Sequence, residues 1–126
     1  MEVMITVAII GILSAIAVPS YNSYVTDSRR NEAKNSLLEL GQFMERYYTA
    51  HDRYNNTDDS TLSEGDLPFS TVPKEGSSVY YNVTVSSAAS TYILTLTPAG
   101  SMAGDACGNY TLTQTGVHTP TTSDCW

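Results

Sequence analysis

Residues 1–18 read MEVMITVAIIGILSAIAV and are followed by Pro19. From Val3 to Val18 the chain carries no charge, and its only polar side chains there are Thr6 and Ser14. As a helix, sixteen residues rise about 24 Å, a little short of the ~30 Å hydrocarbon core of a bilayer. A secretory signal peptide fits poorly, because it needs a basic leading segment and a small-residue cleavage site. Here the flank is the acidic Glu2, and a further helical pattern follows. A helix buried in a soluble core is the other reading. However, Val3, Ile5, Val7, Ile9, Ile10, Ile12, Leu13, Ile16 and Val18 surround the axis and leave no face for water. Burial in lipid or in a bundle of helices is the better expectation.

Beyond Pro19 the helix is expected to continue over residues 20–50 as an amphipathic half. Ala33, Leu37, Leu40, Met44 and Tyr48 recur at spacings of four, three, four and four. Gly41 adjoins this stripe and lets another element come close. Arg30, Glu32, Lys34, Glu39, Glu45 and Arg46 take mostly the other faces. Arg30 and Lys34 are like charges four apart, so they do not serve the helix alone. A solvated face explains them, and so does contact with acidic groups of a neighbouring chain.

Residues 51–78 lose this period and gather Asn, Asp, Ser, Gly and Pro, which marks a long connecting loop. Its acidic residues Asp58, Asp59, Glu64 and Asp66 lack the alternating spacing of a calcium loop, so they are read as solvated. Residues 79–126 form the strand-bearing region. Val79, Tyr81, Val83 and Val85 alternate with polar neighbours, Tyr92, Leu94 and Leu96 do so again, and Tyr110 and Leu112 share one face of a third run. The fold class is α+β, with one long N-terminal helix packed on a three- to four-stranded antiparallel meander.

Two cysteines, Cys107 and Cys125, stand near the C-terminus. Two thiols cannot complete a tetrahedral zinc site without two further ligands, and His51 and His118 show no ligand spacing. A disulfide is the better reading; it closes a C-terminal loop and places this region outside the reducing cytosol. The 126 residues suit one modest domain plus an appendage, and 41% hydrophobic residues argue against disorder. Residues 54–126 carry seven acidic groups against Lys74 alone. That balance disfavours attraction to phosphate backbones and argues against direct DNA binding, with Arg29-Arg30 as the only candidate basic patch. No phosphate loop, nucleophile elbow, metal motif or catalytic triad order is visible, so neither an enzyme nor a cofactor is expected.

The run from Glu2 to Leu13, with Ser14-Ala15-Ile16-Ala17-Val18-Pro19-Ser20-Tyr21 after it, resembles the N-terminal helix of type IV pilins. Glu2, Gly11 and Pro19 all stand in that family's register. The C-terminal Cys107-Gly108-Asn109-Tyr110-Thr111-Leu112 and Cys125-Trp126 resemble small PilE-like pilins of the type IVa kind. The resemblance implies that the family's mature chain begins about three residues before Met1, after a short leader. It implies that Glu2 pairs with a neighbouring subunit's terminal amine or with an assembly platform protein. A charge placed beside lipid usually marks function, although an acid in a first turn also simply complements the helix dipole. Gly11 and Pro19 mark a span that can melt in some filaments, or Pro19 marks the exit from the membrane.

The implied life cycle begins in a bacterial inner membrane with the globular domain in the periplasm. It ends in an extracellular helical polymer of this chain and other pilins, serving adhesion to a host or abiotic surface, twitching motility or DNA uptake. Two alternatives stay open: a low-abundance minor pilin that primes assembly or binds a target, and a pseudopilin of a secretion system.

Overall fold

The computed structural model describes residues 1–126. One helix, α1, runs from Glu2 to His51. Fifty residues at 1.5 Å each make it about 75 Å long. It passes through Pro19 without a break, although proline has no N–H to offer the Ala15 carbonyl. It stops where Asp52 turns into the left-handed region at φ 57°, its N–H bonded to the Tyr48 carbonyl.

Five strands follow: β1 (Thr71–Val72), β2 (Tyr81–Ser87), β3 (Tyr92–Pro98), β4 (Tyr110–Thr113) and β5 (His118–Thr119). They pair antiparallel in chain order, an uninterrupted meander. Val83 faces Leu96 across β2 and β3, and Leu94 faces Leu112 across β3 and β4. The alternating residues of the three longer strands were legible as strands. The meander has five strands where three to four are expected; β1 and β5, two residues each, are too short to carry a period.

The core lies between the C-terminal half of α1 and one face of the sheet. Ala33, Leu37, Leu40 and Met44 are fully buried against Tyr81, Val83, Leu94, Leu96 and Tyr110. At Gly41 helix and sheet come close: a Cβ there would stand 2.8 Å from Leu112 Cδ2. The connecting segment is more than a solvated loop. Tyr54, Leu62, Leu67, Phe69 and Val72 are buried in the same core, and Asn55 with them. A short 3-10 turn at Glu64–Asp66 is held by Ser63 and Asp66 bonding each other's backbone and side chains.

Candidate functional site

The helix has two halves with opposite surroundings. In the C-terminal half one stripe meets the sheet. In the N-terminal half nothing from the chain covers any side: every residue from Met1 to Tyr24 is exposed. The large apolar side chains from Val3 to Val18 are 52–76% accessible. An 18-residue window here has a mean hydropathy of 2.3 with none of it buried, so α1 is a helix long and apolar enough to cross a membrane.

Its few polar groups are arranged for such a setting. Thr6 Oγ1 donates to the Glu2 carbonyl at 2.9 Å, and Ser14 Oγ to the Ile10 carbonyl at 2.7 Å. Each hydroxyl is satisfied one turn back within its own helix, which suits a medium that offers no water. Glu2 is the exception. It lies in the first turn, where a negative charge complements the helix dipole. Its carboxylate has no ion-pair partner within the chain. Gly11 has nothing within 4 Å of a would-be Cβ, so the closeness it permits is not used inside the chain. Glu2 and Pro19 are therefore seventeen helical steps apart on uncovered helix, about 25 Å.

The distal end of the molecule is fastened differently. Cys107 and Cys125 form the disulfide, with Cα atoms 5.8 Å apart. Tyr110 donates its buried hydroxyl to the Cys125 carbonyl at 3.1 Å. Trp126 stacks edge-on to Tyr110 and donates its indole N–H to the Thr119 carbonyl at 2.9 Å, so it lies on the sheet edge.

The basic residues are mostly engaged within the chain. Arg30 grips Asp105 through two hydrogen bonds, from Nε at 3.0 Å and from Nη2 at 2.7 Å. Arg29 lies 4.1 Å over the Tyr80 ring and donates to Ser101 Oγ at 2.8 Å. Arg53 pairs with Asp59, and Lys74 with Glu39. Lys34 and Arg46 are left without an ion pair. The Arg29-Arg30 patch is thus spent on joining the helix to Tyr80 and to the segment between β3 and β4, which corrects the reading of Arg30 as a solvated or intersubunit charge. Hydrogen bonding to Arg30 holds the Asp105 carboxyl below its ordinary value, and the same bond raises Arg30.

This clamp was not legible in the sequence. The one signal was the like-charged Arg30/Lys34 pair, which calls for a partner outside the helix. Asp105, 75 residues away, carries no pattern of its own. The acidic loop residues are engaged locally: Asp58 accepts from Ser60, and Asp66 from Ser63, which lowers both carboxyls.

Residues 19–111, well over half of the chain, match the family model described as "Type IV minor pilin ComP, DNA uptake sequence receptor". The chain is 42% identical over 55 residues to the type IV major pilin protein PilA of Myxococcus xanthus, an alignment covering 44% of this chain and 25% of that one. It is 39% identical over 70 residues to a fimbrial protein of Neisseria meningitidis, covering 52% of this chain and 40% of that one. The chain thus spans between a quarter and two-fifths of the length of these relatives. In fold it is similar to the non-core minor pilin PilV of Neisseria meningitidis, with a TM-score of 0.57 over 77% of this chain and 87% of that one at 24% identity. Matched from the proline of its long helix to the last long strand of its sheet, the chain belongs to the type IV pilin family.

Proposed function

We propose that this chain is a subunit of a type IV pilus, held in the inner membrane by residues 3–18 and then polymerised through the same helix. The observation that carries this is the uncovered apolar half of α1. Burying ten such side chains at roughly 1.5–3 kcal/mol each is a driving force no soluble monomer leaves unused. A bilayer covers them before assembly, and the helices of neighbouring subunits cover them afterwards. The sheet, the acidic connecting segment and the disulfide loop then face outward, towards a host or abiotic surface.

Glu2 supplies the axial register. An unpaired carboxylate at the edge of an apolar span is costly until a positive group meets it, and a neighbouring subunit's terminal amine or an assembly platform protein provides one. Glu2→Ala is expected to leave the chain stable in the membrane and scarce in filaments. Normal piliation by that variant would sink the assignment.

A second reading has the matching family model behind it: a minor pilin that binds DNA during uptake. Charge weighs against this chain reading duplex DNA through its surface. Four of its six basic side chains are engaged within the chain, and the net charge is −7. Phosphate contacts supply most non-specific DNA affinity, and Lys34 and Arg46 alone supply few. Gel-shift titration of the detergent-solubilised chain against duplex DNA separates the two: a low-salt complex that weakens steeply with salt supports the receptor, and its absence supports the plain subunit.

A further inference from the structure

The apolar count of α1 falls short of a bilayer, and two exposed tyrosines stand where the shortfall ends. Val3–Val18 spans about 24 Å, whereas the hydrocarbon core needs ~30 Å, or about 20 helical residues. Counting from Val3, that length ends near Asn22. The uncharged stretch allows it, because no charge occurs between Glu2 and Asp27. Ser20 Oγ donates to the Ile16 carbonyl and Thr26 Oγ1 to the Asn22 carbonyl, so these hydroxyls too are met within the helix.

At this boundary Tyr21 is 67% and Tyr24 72% exposed. Three residues apart, they are neighbours on one face of the helix. By helical register that face is turned away from Ala33 and Leu37, so the chain's own sheet does not cover them. Neither hydroxyl has a hydrogen-bond partner in the chain. Immediately beyond, Val25 and Thr26 are half-buried, so the globular domain begins one residue after Tyr24. There Ser23, Asp27, Arg30, Asn31, Lys34 and Asp124 line an open hollow of about 550 Å³ with no apolar side chain. Apolar helix, exposed phenols and polar domain follow one another within two turns.

We infer that Tyr21 and Tyr24 form an interfacial anchor. Their rings lie at the boundary between hydrocarbon and phospholipid headgroups and fix the depth of the unassembled chain, with the domain resting directly on the membrane surface. A tyrosine ring suits this layer because its body is apolar and its hydroxyl is wet. The inference rests on the membrane-inserted reading of α1 and adds where the surface lies and what holds it there. With the hydrocarbon running from Val3 to Asn22, Ile12 lies at the bilayer centre.

Single-tryptophan reporters test this in vesicles of phosphatidylethanolamine and phosphatidylglycerol, on the full chain carrying Trp126→Phe, which keeps a ring beside Tyr110. Circular dichroism and the intact disulfide confirm folding of each variant. Ile12→Trp should be quenched most by lipids brominated deep in the acyl chain. Tyr24→Trp should be quenched most by lipids brominated near the headgroup, and little by aqueous iodide. With Tyr21→Ser and Tyr24→Ser added, the depth profile of Ile12→Trp should shift or broaden. Deep quenching of Ile12→Trp together with free iodide access to Tyr24→Trp would overturn the anchor and leave the membrane reading intact. An unchanged Ile12→Trp profile in the serine variants would do the same. Absence of lipid quenching at Ile12→Trp would remove the membrane reading and the anchor with it.

Discussion

Arg30 on α1 and Asp105, on the segment between β3 and β4, are joined by paired hydrogen bonds of 3.0 and 2.7 Å, and their side chains are only 17% and 9% accessible. The planar guanidinium meets the carboxylate edge-on, the geometry that makes such pairs both strong and directional. This contact lies where the free half of the helix enters the domain. It therefore ties the part of the molecule proposed to polymerise to the part proposed to face outward.

Removing one partner leaves the other charge poorly solvated. Arg30→Ala should lower stability by about 2–3 kcal/mol in denaturant unfolding of the detergent-solubilised chain. The pair also has a pH signature. The Asp105 carboxyl is held below its ordinary value, so its contribution is complete above pH ~3.9 and is lost as pH falls through the lowered value. Asp105→Asn should flatten that part of the acid limb; an unchanged acid limb would contradict the account.

The alkaline limb is set by buried phenols. Burial, with Glu45 nearby, pushes Tyr92 up to about 12, and burial also raises Tyr54, Tyr81 and Tyr110. Each holds its proton more firmly folded than unfolded, so stability is full below pH ~10 and declines above it. Phenolate absorbance followed together with near-ultraviolet dichroism should show a late step that coincides with unfolding. Complete ionisation near pH 10 with the fold intact would contradict this.

Gly41 sets the distance between helix and sheet. Gly41→Val would push atoms into Leu112, whose Cδ2 is already 2.8 Å from a would-be Cβ. The expected cost is about 1–3 kcal/mol of overpacking, read as a lower denaturation midpoint. An unchanged midpoint would mean that the sheet yields at no cost.

How much of this was readable beforehand depended on distance along the chain. The long helix is legible because Val3–Val18 is an unbroken apolar run and the stripe from Ala33 to Tyr48 a local periodic one, and β2, β3 and β4 are legible through their period of two. In the connecting segment Leu62, Leu67 and Phe69 are isolated apolar residues without a period, so nothing local announces that all three are buried. The Arg30–Asp105 clamp joins residues 75 apart, and no local pattern records such a pairing. The Glu2 region differs again: its partner is expected in another chain, so it stays a proposal that only assembly can test.

The disulfide closes the C-terminal loop between Cys107 and Cys125, and Trp126 follows directly on it. Cys107→Ser with Cys125→Ser should cost roughly 3 kcal/mol in the chain-entropy description. In the native chain, alkylation without reductant should label neither thiol; full labelling would remove the bond and the periplasmic placement argued from it.

The most direct test of the central claim is to shear surface filaments from the native cells and quantify this chain by mass spectrometry against the other filament components. A pilus subunit is expected in the sheared filaments, abundantly if it is the main building block and as a minor constituent if it primes assembly or binds a target. Abundant filaments wholly lacking the chain, with all of it retained in the membrane fraction, would contradict the pilus-subunit reading.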